Sequence, residues 1–173
     1  MNIWTIGHST RTGEQFNEML IAHGIEVLVD VRTFPGSRRY PQFNKSVLSE
    51  SLASAGIDYQ HEPRLGGRRA PRKDSHNSAW RNAMFRGYAD HMETNEFDAA
   101  IKELLELAKA NRVAVMCAES LWWKCHRSLI ADYLKAAGHT VLHIIDEKKT
   151  EEHPFTSAAR IVDGELSYRG LLS

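Results

Sequence analysis

The chain has 173 residues, enough for one domain that buries roughly 70% of its unfolded surface. Its 22 basic and 22 acidic residues cancel, which excludes bulk attraction to polyanions as an organising force. Two cysteines are too few for a disulfide framework, and no apolar stretch reaches the roughly 18 residues of a membrane span, so a soluble, reduced, cytoplasmic protein without a membrane partner is expected.

Asn2 to Ile6 reads as a first strand, entered at once with no apolar targeting segment, and followed by Gly7-His8-Ser9-Thr10. Thr12 and Gln15 have capping-box spacing for a helix carrying Phe16, Met19 and Leu20 to about His23, where Gly24 stops it. Glu26 to Val31 is a second buried strand, and Arg32 to Phe43 a loop holding Pro35, Gly36 and Pro41. Asn44 can cap a helix with Val47, Leu48 and Leu52 inward, stopped by Gly56, and Ile57 to Gln60 is a short third strand. Glu62 to His76 is a long loop rich in Gly, Pro and Arg, of a length that marks either a working part or disorder.

Helices are expected at about Ala79 to Met92 and Phe97 to Ala110, with Trp80, Met84 and Tyr88 on one apolar face. The β-rich run Val113 to Met116 is a fourth strand, and Ser128 to Ala137 a helix with Leu129, Ile130, Tyr133 and Leu134 on one face. Thr140 to Ile145 gives a further strand, and Ile161 to Tyr168 an edge hairpin turning at Gly164. Strands alternating with helices predict a single three-layer α/β domain over residues 1–173, Rossmann-like or rhodanese-like. Its twisted sheet is mostly parallel with helices on both faces, and a basic loop and helical insertion occupies about 62–94.

Parallel strands all end on one side, where such sheets bind ligands. Read off those ends, the candidate site gathers His8 and Ser9, then Asp30, Arg32, Ser37, Arg38, Arg39 and Tyr40, then His61 and Arg64, then Cys117 and Glu119, and finally Asp146. Cys125, His126 and Arg127 open the next helix, where the free N–H groups favour an anion, so Glu119 or a bound phosphate would offset the positive charges. A structural Glu119–Arg127 pair closing the loop is the plain alternative. Cys125, next to His126 at a helix start, is expected to have a lowered thiol pKa, whereas a strand-end Cys117 reads first as a small buried hydrophobe. No CxxC or HxxxH spacing joins Cys117, Cys125 and His126 to His8 or His143, so no metal or other cofactor is expected.

Charge is uneven along the chain: Tyr59 to His91 holds seven Lys or Arg against three acids, and Glu93 to Ala110 five acids against two lysines. The basic segment interleaves Arg64, Arg68, Arg69, Arg72, Arg81 and Arg86 with aromatics, the composition of nucleotide and nucleic-acid surfaces. Trp122 and Trp123 either form a lid over a flat ligand or plug their loop against the core.

On these residues the chain resembles the family catalogued as domain of unknown function 488. The resemblance runs through Thr5-Ile6-Gly7-His8-Ser9, Asp30-Val31-Arg32 with Pro35 and Ser37, and Leu65-Gly66-Gly67. It continues through Phe85-Arg86-Gly87-Tyr88-Ala89, Met116-Cys117-Ala118-Glu119, Cys125-His126-Arg127 and His153. The chain departs from similar proteins at Trp122, where they tend to carry proline. Asp30-Val31-Arg32 and a cysteine loop feeding a helix are also similar to rhodanese-type sulfurtransferases, although the loop lacks glycine and sets Glu119 where it disfavours a thiolate.

The expected function is a hydrolase or transferase acting on a nucleotide or nucleic acid at a phosphate or N-glycosidic bond, DNA base excision and repair being one such chemistry. Glu119 or Asp30 would be the general acid/base, His8 or His126 would share the proton work, and Arg32, Arg64, Arg68, Trp123 and Arg127 would hold the ligand. Two alternatives stand beside it: a thiol-dependent sulfurtransferase or redox enzyme using Cys117 or Cys125, and a non-catalytic nucleic-acid-binding module.

Overall fold

The structure, a computed structural model that describes residues 1–170, carries the expected three-layer arrangement. Strands β1 (Asn2–Gly7), β2 (Val27–Asp30), β3 (Asp58–His61), β4 (Val113–Cys117) and β5 (Thr140–Ile144) run parallel in the order β3-β2-β4-β1-β5. β6 (Thr150–Glu152) adds an antiparallel edge beside β5. The central strands are apolar on both faces because both faces are covered, and every residue of β4 is buried.

Successive strand residues feed two separate cores. On one face α1 (Gly13–Ala22) and α2 (Lys45–Ser54) pack Phe16, Leu20, Leu48 and Leu52 against Trp4, Ile6, Leu28 and Met116. On the other, α3 (Ala83–His91), α4 (Asn95–Ala110) and α5 (Arg127–Ala136) pack Tyr88, Phe97, Ile101 and Leu129 against Ile3, Val29, Val115 and Cys117. The chain moves one way across the sheet through α1 and α2 and back through α3, α4 and α5, so same-handed crossovers put the two helix sets on opposite faces. From neighbouring β2 and β4 the chain therefore departs to opposite faces, which opens a crevice between their carboxyl ends.

The Thr12–Gln15 capping box forms as read. Val47 is corrected: it is exposed, and only Leu48 and Leu52 of α2 point inward. The Trp80–Met84–Tyr88 stripe also fails, because the helix starts only at Ala83. Asn82 caps it by accepting from the Met84 and Phe85 N–H groups, which leaves Trp80 outside the helix and Met84 exposed. The polar strand β6 carries no apolar alternation and was not anticipated. The hairpin β7 (Arg160–Val162) and β8 (Glu165–Ser167) forms its own two-stranded sheet rather than an edge of the main one, and it turns on Asp163 and Gly164, both at positive φ. The basic loop is built, not loose: buried Asp90 accepts from the Arg72 N–H, Ser75 Oγ and Asn77 Nδ2. Among the described residues no helix is long and apolar enough to cross a membrane.

Candidate active site

The crevice predicted by the crossover reversal is a cleft of about 310 Å³. Arg32, Thr33 and Phe34 leave β2 along one wall, and Cys117, Ala118 and Glu119 leave β4 along the other. Lys124, Cys125 and His126 enter α5 at the floor, and Gly67, Arg68, Met84 and Phe85 close it from the basic insertion. A larger cavity of about 610 Å³ lies between α3, α5 and the C-terminal hairpin, but its titratable His76 and Glu93 are paired with each other at 2.5 Å. The chemistry converges in the smaller one.

Two close approaches hold the walls together. A Cβ at Gly7 would lie 1.7 Å from the Glu119 carbonyl oxygen, and one at Gly67 would lie 2.4 Å from His126 Nδ1, so glycine is required at both by space. The backbone N–H groups of His8 and Ser9 then donate to the Cys117 and Ala118 carbonyls at 3.0 and 2.9 Å, carrying the β1–β4 ladder past its end. His8 and Glu119 thus share one rim, as the sequence implied.

Arg127 is the largest fully buried side chain, 1% exposed. Its Nη2 donates to the Glu119 and Ser120 carbonyl oxygens, both at 3.1 Å, and its Nη1 to Thr5 Oγ1 at 3.4 Å. Its Nε has no hydrogen-bond partner, and among the described residues no carboxylate pairs with the guanidinium. The Glu119–Arg127 ion pair weighed as the plain alternative does not form: Arg127 binds the loop through backbone carbonyls, and the Glu119 side chain is exposed in the cleft.

The cysteines also reverse their expected roles. Burial raises the Cys117 thiol, but the adjacent Cys125 thiol, the Arg127 guanidinium and the Glu119 backbone outweigh it, and they prevail over the opposing Glu119 carboxylate, so the pKa is lowered. Cys125 is pushed well up, by burial and by the negative charge that Cys117 takes first. The anticipated help from His126 fails because burial lowers that imidazole to about 4, leaving it neutral. His126 Nε2 donates to the Val31 carbonyl at 3.0 Å, and Nδ1 faces Cys125 Sγ at 3.4 Å.

Other expected site residues are committed elsewhere. Asp30 is fully buried and takes a bidentate pair from Arg32, at 2.9 and 2.7 Å, with the Tyr59 hydroxyl at 2.5 Å. This closed pair offers neither a general base nor an unpaired guanidinium, although Arg32 still lines the cleft. His8 stacks on Phe43 at 4.3 Å, its Nδ1 donates to the Ser9 carbonyl, and burial lowers its pKa to about 4. Arg64 is tied to Glu62 and Glu103, and His61 donates to the Arg32 carbonyl. Ser37 Oγ accepts from the Arg39 and Tyr40 N–H groups, which shapes a turn bearing exposed Arg38 and Arg39 outside the cleft. Asp146 receives the Lys148 and Lys149 N–H groups beside a different cavity. Trp122 stacks flat on His143 inside the fold, whereas Trp123 is half exposed.

Sequence reasoning assigned no site role to Lys124 in the cleft or to Thr5 and Asp132 behind it, and it weighed His143 only as a distant metal ligand. Their signal was a polar side chain at an apolar position of a strand or helix: Thr5 in β1, His143 in β5, Asp132 in α5. Among the described residues no group of His, Cys, Asp and Glu has the arrangement of a metal site.

The model of a family described as "Domain of unknown function DUF488" matches residues 12–134, the greater part of the chain. No curated protein and no solved structure matches.

Proposed function

The chain belongs to the DUF488 family, whose name assigns no reaction, and from that premise we propose a thiol-dependent sulfur-transfer or redox enzyme with Cys117 as nucleophile and Cys125 as its partner thiol. The observation that carries this reading is the buried Arg127 cation, which has no carboxylate partner among the described residues and meets Cys117 at the Glu119 carbonyl oxygen, 3.1 Å from Arg127 Nη2 and 3.5 Å from Cys117 Sγ. A buried, unpaired cation is costly, and the Cys117 thiolate is the charge that offsets it. On this reading Cys125, whose thiol is pushed up by burial and by Cys117, keeps its proton until Cys117 has reacted.

The exchange follows from these positions. Cys117 Sγ attacks one sulfur of an external disulfide, forming a mixed disulfide and releasing the other half as a thiolate. Cys125 Sγ then attacks Cys117 Sγ, which closes a Cys117–Cys125 disulfide and releases the second half as a thiol. The substrate is reduced by two electrons and the cysteine pair oxidised by two. Limited iodoacetamide at pH 6.5 followed by peptide mass spectrometry tests the assignment: Cys117 labels before Cys125, and Arg127→Leu slows Cys117 labelling about tenfold. Equal, slow labelling of both cysteines in the unaltered protein overturns it.

A second reading concerns the ligand. Arg68 lies over the ring of Phe34 at 5.5 Å, and Phe34, Lys124 and Met84 are exposed around the mouth, a rim suited to an anionic, aromatic ligand such as a nucleotide or nucleic-acid base. On this reading exposed Glu119 is the acid/base of a hydrolase or transferase. Binding of an oligonucleotide that weakens with salt and is lost in Arg68→Ala supports it; binding unaffected by Arg68→Ala removes it.

A further inference from the structure

Behind Arg127 lies a second buried ionisable side chain, whose ion-pair candidate among the described residues is His153. Asp132, in α5 and fully buried, accepts from His153 Nε2 at 2.7 Å, the Thr156 N–H at 3.0 Å, Thr156 Oγ1 at 2.6 Å and the Tyr168 hydroxyl at 2.7 Å. No lysine or arginine among the described residues touches it. The two charges are joined by side chains. His153 Nδ1 lies 2.9 Å from His143 Nε2, and His143 Nδ1 lies 2.5 Å from Thr5 Oγ1, the same oxygen that receives Arg127 Nη1.

Arg127 can only donate and a carboxylate can only accept, while the hydroxyl and the two imidazoles between them can do either, so one arrangement runs every donor toward Asp132. In it Arg127 donates to Thr5 Oγ1 and the Thr5 hydroxyl donates to His143 Nδ1. The His143 proton is then on Nε2 and goes to His153 Nδ1, and the His153 proton is on Nε2 and goes to Asp132. Each donor points toward the carboxylate, so the dipoles align and each bond strengthens the next. Burial above all lowers His143 to about 2, in keeping with a neutral imidazole. Trp122 stacked on His143 at 4.7 Å keeps water from the middle of the chain.

We infer that Asp132, His153, His143 and Thr5 form a positioning relay that fixes the Arg127 guanidinium beside Cys117 and links that buried cation to a buried anion. The relay rests on the reading of Cys117 as the reactive thiol. Its members are drawn from α5, from the residue after β6, from β5 and from β1, so the edge strand β6 serves to deliver His153. The groups facing Cys117 are Cys125, Arg127 and the backbone and carboxylate of Glu119; Arg11 and His143 face Arg127 from the other side.

The pH profile of Cys117 alkylation in Thr5→Val and Thr5→Ser tests the relay. Thr5→Val keeps the shape and removes the hydroxyl, and it should slow labelling at pH 6.5 about tenfold, the change produced by one unit in the thiol midpoint. Thr5→Ser should keep the unaltered rate, which a simple packing role for Thr5 does not predict. A folded Thr5→Val with an unchanged profile overturns the relay. Imidazole nitrogen NMR on the unaltered protein tests the same chain of protons without any variant. Both His143 and His153 should hold their proton on Nε2 with Nδ1 bare; a proton on either Nδ1 overturns the relay. If Cys117 labels no faster than Cys125 in the unaltered protein, the thiolate reading falls, and the NMR result still decides the relay separately.

Discussion

At the scale of single residues, the molecule separates charges that are spent from charges that are available. Asp30 and Arg32 are spent: the carboxylate is fully buried, and guanidinium, backbone N–H and tyrosine hydroxyl saturate it. Removing one partner of such a pair strands the other, so Asp30→Asn should lower stability by about 3 kcal/mol in urea unfolding, and adding Arg32→Met should restore part of that loss. Sequence could place both residues at a strand end but not tell a closed pair from an open site, because that depends on Tyr59 and Phe43, which arrive from β3 and from the loop before α2. Cys117 and Cys125 show the same limit. Their adjacency to Glu119 and His126 in sequence suggested one electrostatic order, and the buried Arg127 and neutral His126 produce the reverse.

At the scale of elements, legibility followed local chemistry. The capping box of α1 was readable because all its partners lie within four residues, and Thr12→Ala should cost about 1 kcal/mol, seen as a lower urea midpoint at unchanged slope. The central strands β1, β2 and β4 were readable because burial on both faces leaves apolar runs. The start of α3 was misplaced because Asn82, a capping residue, lay inside a stretch whose apolar spacing continued upstream of it. β6 could not be seen at all: three polar residues at a sheet edge are held by the ladder with β5 rather than by any pattern of their own.

Across the whole molecule, histidines buried in neutral form tie stability to pH. His8, His126 and His143 have folded pKa values lowered to about 4, about 4 and about 2, against an ordinary value of 6.5. A lowered histidine pKa means that the unfolded chain binds the proton first, so the stabilisation is complete above pH 6.5 and is lost as pH falls. Fully buried His143 should withdraw up to about 1.4 kcal/mol per pH unit through this window, and His8 should add to it down to about pH 4. Urea unfolding should show stability falling between pH 6.5 and 5, and His143→Phe should flatten that slope; an unchanged slope counts against a neutral, buried His143.

The absent side chain at position 7 has a dynamic consequence. With the Glu119 carbonyl oxygen occupying the space a methyl group would fill, the end of the first strand and the cysteine-bearing turn cannot slide past one another and behave as one stiff shelf. The opposite bank of the cleft joins the sheet through a 3-10 turn and buried polar anchors rather than through a strand, so widening of the cleft is expected there, beyond the point where Gly67 is held against His126. One jaw of the cleft is fixed and the other yields.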